Sequence, residues 1–311
     1  MVPSRVEVRE VGPRDGLQIE EPIGIDQKIR FLDALVRTGV RRIEATAFVS
    51  PTAVPALADA DQVAAHVRGL AARHPEIEFS ALVANLRGAE RATAAGITSV
   101  EYVVSAGEGH SRANARRSTA DALQAVPAIA RLVHEHGGTL EVIVATAWDC
   151  PFDGPTPLRS TTEICAQARD AGADRLCLGD TIGTTVPGRV ISLVESVRAV
   201  APEAPLGVHF HNTRGSGLAS AWAAVSAGVT MLDSAAGGLG GCPFAPGASG
   251  NIATEELVYL LEDSGVETGI DLDAALDAAA LAEELVGHQA GSQLLRAGGP
   301  SRPRGGTGRT R

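Results

Sequence analysis

Short runs of β-branched and apolar residues alternate with longer Ala/Leu-rich stretches through most of the chain. The runs at 6–11, 41–46, 78–83, 99–104, 140–145, 175–178, 206–210 and 231–235 have the length and composition of strands. Each is followed by a segment of helical period, for example 26–37 after the first and 161–171 after the fifth. Eight strand–helix units over roughly 250 residues are the count and length of a (β/α)8 barrel. The predicted fold class is therefore α/β, a (β/α)8 TIM barrel with extra C-terminal helices. A doubly wound open sheet shares this alternation and stays open as the alternative, although no Gly-x-Gly-x-x-Gly follows the first strand. One further helical region, 272–295, is expected to pack across the barrel. The expected organisation is one domain over 1–296, with its helical extension starting near 271, and a disordered Gly/Arg/Pro-rich tail over 297–311.

Composition narrows the function. With 44% hydrophobic residues and a mean hydropathy of +0.07, the 311-residue chain can bury a large core. No apolar run approaches the roughly 20 residues of a membrane span. A net charge of −10 opposes a general nucleic-acid or anionic-membrane binder. Cys150, Cys165, Cys177 and Cys242 show no Cys-x-x-Cys spacing, so neither a disulfide framework nor a zinc ribbon is indicated. The strand pattern begins by Val6, leaving no room for a leader peptide. The expectation is a reduced cytoplasmic protein acting on a small molecule.

Barrels of this kind carry their chemistry at the C-terminal ends of the strands. Those ends hold Arg14 and Asp15 (first), Glu44 (second), Asp180 (after the sixth), and His209 and His211 (seventh). A glycine-rich stretch at 237–251 follows the eighth, with Cys242 inside it and Asn251 at its end. His209-Phe210-His211 places two imidazoles on one face of a strand, a spacing that suits two ligands of one metal ion. Two unrelated histidines, one packed and one exposed, have the same spacing. With Asp15 and Asn251 the set becomes a mixed N/O donor group with one carboxylate, which favours Mg²⁺ or Mn²⁺ over a closed structural zinc site. Arg14, in Gly12-Pro13-Arg14-Asp15-Gly16, is placed to balance a developing enolate; a plain turn or surface ion pair is the competing reading. Glu44 interrupts an apolar strand, and in a parallel barrel such a carboxylate must face the rim or a cation. Asp180 reads as a residue of a tight loop that caps a turn or orients a substrate. Cys165 and Cys177 read as small buried apolar residues, while Cys150 is undecided. Cys242 is a thiol on a segment able to cover and uncover a site.

Five motifs carry a resemblance. Val11-Gly12-Pro13-Arg14-Asp15-Gly16-Leu17-Gln18, Phe48-Val49-Ser50-Pro51, Leu178-Gly179-Asp180-Thr181-Ile182-Gly183 and Val208-His209-Phe210-His211 occur in that order. Gly238-Leu239-Gly240-Gly241-Cys242-Pro243 through Gly250-Asn251 completes the set. Together they resemble the 3-hydroxy-3-methylglutaryl-CoA lyase family of metal-dependent barrel enzymes. The resemblance implies retro-Claisen cleavage of that thioester, or a related 3-hydroxyacyl-CoA, to acetyl-CoA and a 3-oxo acid, as in leucine degradation. It implies a divalent metal, Mg²⁺ or Mn²⁺, on Asp15, His209, His211 and Asn251, and substrate binding by Arg14, Gln18 and Thr181. It gives Arg14 the enolate, and Glu44, Asp180, His209 and Cys242 a part in proton transfer or substrate placement. It also implies a homo-oligomer, a dimer or larger.

The chain departs from that pattern at Glu21, where a Lys is familiar, and at Arg214, where a Tyr is. Ala47, Gly107 and Cys177 stand where the family tends to carry Ser. An acyl-CoA condensing synthase and a 4-hydroxy-2-oxo acid aldolase are the alternatives on the same barrel. The synthases are disfavoured because they usually carry a substantial C-terminal region and lack the cysteine loop.

Overall fold

The eight strand-like runs pair edge to edge until the last meets the first. In the computed structural model, which describes residues 2–241 and 250–299, the strands are β1 (Glu7–Glu10), β2 (Arg42–Phe48), β3 (Glu78–Val83) and β4 (Ser99–Ser105). β5 (Leu140–Ala145), β6 (Arg175–Asp180), β7 (Leu206–Phe210) and β8 (Met231–Ser234) complete the barrel. All neighbours are parallel, and closure is made by β1 against β8, with Glu7 opposite Met231 and Glu10 opposite Ser234. That pairing decides for the barrel over the open sheet.

Most strand boundaries fall within two residues of expectation. The largest shifts extend β2 to Phe48 and β6 to Asp180. Asp180 is thus the last strand residue, not a residue of the loop beyond it.

The surrounding helices are α1 (Ile25–Val36), α2 (Ala60–Arg73), α3 (Leu86–Ala94), α4 (Glu108–Ala115), α5 (Thr119–Glu135) and α6 (Leu158–Asp170). They continue with α7 (Pro187–Val200), α8 (Gly217–Ser226), α9 (Thr254–Asp263), α10 (Leu272–Val286) and α11 (Gln293–Ala297). Several starts are set by side chains that accept an orphan backbone N–H, as Asn85, Ser118 and Asp271 do for α3, α5 and α10. The extension expected as one region over 272–295 is two helices. Gly287, at φ 76°, ends α10 in the left-handed conformation that glycine adopts without strain. α11 runs through Ala297, one residue into the expected tail, and 300–311 lie outside the described residues. α10 packs against α1, α9 and the turn Ala236–Gly238. Among the described residues no helix is long and apolar enough to cross a membrane.

Strand side chains alternate between two faces. Val8, Val100, Tyr102, Val142, Val144, Leu176, Leu178 and Val208 belong to the apolar core shared with the helices. The alternate positions turn into the barrel, and there they are largely charged. Arg42 pairs with Glu78 at 3.1 Å and Glu141 at 3.2 Å near the N-terminal ends of the strands. Arg9 sits one layer higher and leads to the site.

Candidate metal centre and active site

β1 ends in a single π-helical turn, Gly12–Gly16, in which Gly16 N–H donates to the Val11 carbonyl at 3.1 Å. The turn faces the end of β7. Asp15 Oδ2 lies 3.8 Å from His209 Nε2 and 3.9 Å from His211 Nε2. One ligand atom from each of the three residues falls within 4.8 Å of the other two.

The tautomers follow from the far side of each ring. His209 Nδ1 meets Asp233 Oδ2 at 3.1 Å, and His211 Nδ1 meets the Asp180 carbonyl at 3.0 Å. Both partners accept, so both Nδ1 atoms donate, which leaves the Nε2 lone pairs turned toward Asp15. Burial lowers His211 to about 4, with His209 adding to the effect, so this imidazole is neutral. Burial also pulls His209 down, but Asp233 and Asp15 outweigh it and the net shift is upward. Burial works to raise Asp15, but Arg14, the two histidines and Asn251 overcome it and hold the carboxyl at about 2.

Asn251 joins through an isolated bridge to His211. Its Nδ2 donates to Asp15 Oδ2 at 2.8 Å and to the Leu239 carbonyl at 2.9 Å. Asn251 Oδ1 and His211 Nε2 are then buried with no hydrogen-bond partner among the described residues. Unmatched buried acceptors are costly. A divalent cation beside Asp15 would satisfy both, so Asp15, His209, His211 and Asn251 fit the ligand set of such an ion.

Arg14 lies beside this group. Its Nη1 is 2.5 Å from Asp15 Oδ1 and 3.4 Å from Gln18 Oε1, and its Nε is 2.8 Å from Glu44 Oε2. The Glu44 contact is off-axis, an ion pair without a hydrogen bond, and neither Glu44 oxygen has a hydrogen-bond partner among the described residues. Full burial pushes the Glu44 carboxyl up against the pull of Arg14.

Asp180 and Thr181 are both engaged in hydrogen bonds at the rim. The Asp180 carboxylate accepts from the backbone N–H of Thr184 at 3.0 Å and of Thr185 at 3.1 Å, while its carbonyl holds His211. Thr181 Oγ1 accepts from the backbone N–H of Thr146, which is held at φ 53°. These contacts orient the rim. Cys242 lies outside the described residues.

The two legs of the glycine-rich stretch are described, and they cross. A Cβ at Gly250 would sit 1.8 Å from the Gly238 carbonyl oxygen, and one at Gly240 2.7 Å from Asn251 Nδ2. Only glycine allows the legs to pass and Asn251 to reach Asp15. Gly250→Ala is expected to displace Asn251, weakening Mn²⁺ binding at least about tenfold on the scale of a lost orienting contact, as titration calorimetry would measure.

Sequence reasoning passed over Arg9, Glu10, Glu101, Glu141 and Asp233. The signal was available, since each is a charge at the inward or terminal position of an apolar strand, the argument already applied to Glu44. Glu10 accepts from Gly12 N–H (2.8 Å), Ala236 N–H (3.0 Å) and Thr254 Oγ1 (2.6 Å), tying the β1 turn to the start of the glycine segment. Burial raises its carboxyl from 4.5 to about 7 despite those bonds.

A carboxyl raised on folding contributes stability that is complete below its unfolded pKa and is lost as pH rises through the folded one. Glu10→Gln keeps all three bonds, with its amide donating to Thr254. The melting temperature of wild type is therefore expected to fall relative to Glu10→Gln between pH about 4.5 and about 7. Parallel melting curves for the two proteins over that range would refute the assignment.

With the geometry established, comparison with known proteins is decisive. The HMGL-like family model matches residues 5–282. The chain belongs to this family. It is 42% identical over 281 residues to the (R)-citramalyl-CoA lyase of Chloroflexus aurantiacus, covering 88% of each chain. It is 38% identical over 296 residues to the hydroxymethylglutaryl-CoA lyase YngG of Bacillus subtilis, covering 94% of this chain and 97% of that one. An HMG-CoA lyase from Acinetobacter baumannii, solved with coenzyme A and 3-methylmalate, superposes with a TM-score of 0.90 at 40% identity over 96% of both chains. As an HMGL-like protein with these relatives, the chain is a carbon–carbon lyase, and the barrel architecture matches that of the solved lyase.

Proposed function

We propose that this HMGL-like lyase cleaves 3-hydroxy-3-methylglutaryl-CoA to acetyl-CoA and acetoacetate with Mg²⁺ or Mn²⁺. The observation that carries the reading is the convergence of Asp15, His209 and His211 with Asn251 Oδ1, which has no hydrogen-bond partner among the described residues, directly beside the Arg14–Glu44 pair. In the reaction, the 3-hydroxyl gives its proton to a base and the C2–C3 bond breaks. Its electron pair stays on C2 as the thioester enolate, C3 becomes a ketone, and an acid returns a proton to C2. Asp15, His209, His211 and Asn251 would hold a divalent ion, which when bound would supply Lewis acidity that lowers the pKa of the tertiary hydroxyl.

Arg14 supplies a fixed positive charge for the enolate oxygen, held in place by Asp15 on one side and Glu44 on the other. The two flanking carboxylates keep it charged against the pull of burial and hold it in place, so little reorganisation is needed when the enolate forms. Cys242, on the segment between Gly241 and Gly250, is our candidate for the acid that completes acetyl-CoA. Cys242→Ser is expected to lower kcat about 10²-fold, the lower range for a displaced acid, with Mn²⁺ affinity unchanged. Single-turnover kinetics and calorimetry would separate the two effects.

The 42% identity to a citramalyl-CoA lyase supports a second reading, in which the carboxylate is borne directly on the carbinol carbon. Both thioesters should be incubated with Mn²⁺ and their products identified by mass spectrometry. Acetoacetate from the first supports our reading, and faster pyruvate release from the second supports the alternative. Absence of acetyl-CoA from both, or its undiminished release under EDTA, would defeat the proposal.

A further inference from the structure

Beneath the metal group lies a cluster of charges sealed inside the barrel. Arg9 is 1% exposed, and it is surrounded by Glu101 (1%), Glu141 (3%) and Asp233 (5%). Arg9 Nη1 donates to Glu101 Oε1 at 2.7 Å, and Nη2 lies 2.7 Å from Glu141 Oε1. The remaining edge of the guanidinium grips Asp233, with Nε donating to Oδ1 at 2.8 Å and Nη2 to Oδ2 at 2.7 Å. Asp233 Oδ2 in turn receives His209 Nδ1 at 3.1 Å. The chain of contacts therefore runs from β4 and β5, through Arg9 on β1, to Asp233 on β8 and His209 on β7.

Such a cluster is a poor way to stabilise a fold, because desolvating four charges offsets most of their attraction. A planar, two-point grip does something an apolar core cannot, which is to fix one orientation of a carboxylate. We propose that Arg9 and Asp233 are positioning residues. Arg9, anchored by Glu101 and Glu141, locks the Asp233 carboxylate so that it accepts from His209 Nδ1 and keeps the Nε2 lone pair facing Asp15. The inference rests on the metal reading of Asp15, His209 and His211.

Two substitutions test it. Asp233→Asn is isosteric, but its amide can turn and donate to His209 Nδ1, stabilising the tautomer whose Nε2 carries hydrogen. In metal-free protein, at a pH high enough that the His209 ring is neutral, its 15N shifts are expected to report Nδ1–H in wild type and a large share of Nε2–H in Asp233→Asn. Mn²⁺ affinity, by calorimetry, is expected to weaken about 10- to 100-fold, the range for lost orienting partners of a metal-bound histidine. Arg9→Lys retains the charge and loses the two-point grip, so a smaller weakening of roughly three- to tenfold is expected.

Unchanged 15N shifts, or Mn²⁺ dissociation constants within twofold of wild type in both variants, would overturn the positioning role while leaving the metal site standing. Failure of wild type to bind Mn²⁺ would overturn both. If Asp233→Asn does not fold, the affinity and ring shifts of Arg9→Lys decide the question alone.

Discussion

Asp15→Asn is expected to lower the rate of acyl-CoA cleavage at least about 10³-fold, the equivalent of about 4 kcal/mol of lost transition-state stabilisation at a metal site. The reason is geometric. Asp15 Oδ2 is the atom shared by both His Nε2 contacts and by the Asn251 amide, and it is the group's only anion. An amide there leaves two neutral imidazoles and two amide oxygens, a weak set for a hard divalent ion. Fold stability changes much less. The Asp15 carboxyl is depressed from 3.8 to about 2 on folding. It thus contributes roughly 2 kcal/mol above its unfolded pKa, lost as pH falls from about 4 through 2. At pH 7 the variant should stay folded, melting a few degrees lower, with Mn²⁺ binding reduced in calorimetry. Substantial cleavage by folded Asp15→Asn, insensitive to EDTA, would sink the metal assignment.

Arg14→Met is expected to fail in two separable ways. Loss of the charge facing the enolate should reduce kcat by about 10²–10³-fold, the range for removing one oxyanion-stabilising donor. Loss of the cation beside Glu44 leaves a fully buried carboxylate unpaired, at a cost of about 3 kcal/mol even after that group takes up a proton. Adding Glu44→Gln removes the stranded charge. The double variant should regain most of the lost melting temperature and none of the lost kcat, a cycle that separates fold from chemistry. Recovery of activity together with stability would show that Arg14 acts only as the partner of Glu44.

Two of the departures noted in the sequence can be placed in the structure. A Cβ at Gly107 would fall 2.5 Å from Cys150 Sγ, so the thiol occupies the space that a side chain at 107 needs. Cys177 Sγ faces inward, 3.9 Å from Asp233 Oδ2. Gly107 follows β4, and Cys177 lies in β6 beside the strand that carries His209. A surface groove of about 790 Å³ runs outside the barrel between α5 and α6 past Leu123 and Gln167, and none of the site's side chains line it.

Much of this protein was legible in one dimension because its signals are local. The alternation of β-branched and Ala/Leu-rich runs determined eight strand–helix units. The rule that barrels work at the ends of their strands then selected Arg14, Asp15, Glu44, His209, His211 and Asn251. A two-residue strand spacing puts His209 and His211 on one face without any knowledge of the fold.

Three things required tertiary structure. Closure depends on β1 meeting β8 some 220 residues away, a pairing no local pattern encodes. Roles depend on which end of a group faces the site. Asp180 reads in sequence as a cap or a substrate-orienting carboxylate, and only the fold shows its side chain accepting from Thr184 and Thr185 while its carbonyl accepts from His211. The inward face of each strand was the least visible, because Arg9, Glu101, Glu141 and Asp233 lie on four strands and pair only when the barrel closes. Sequence by itself determined the periodicity, and with it the fold class and the residue types of the candidate metal group. Tertiary structure alone decided which charges neutralise one another, since Coulomb energy depends on distance in space and desolvation on burial.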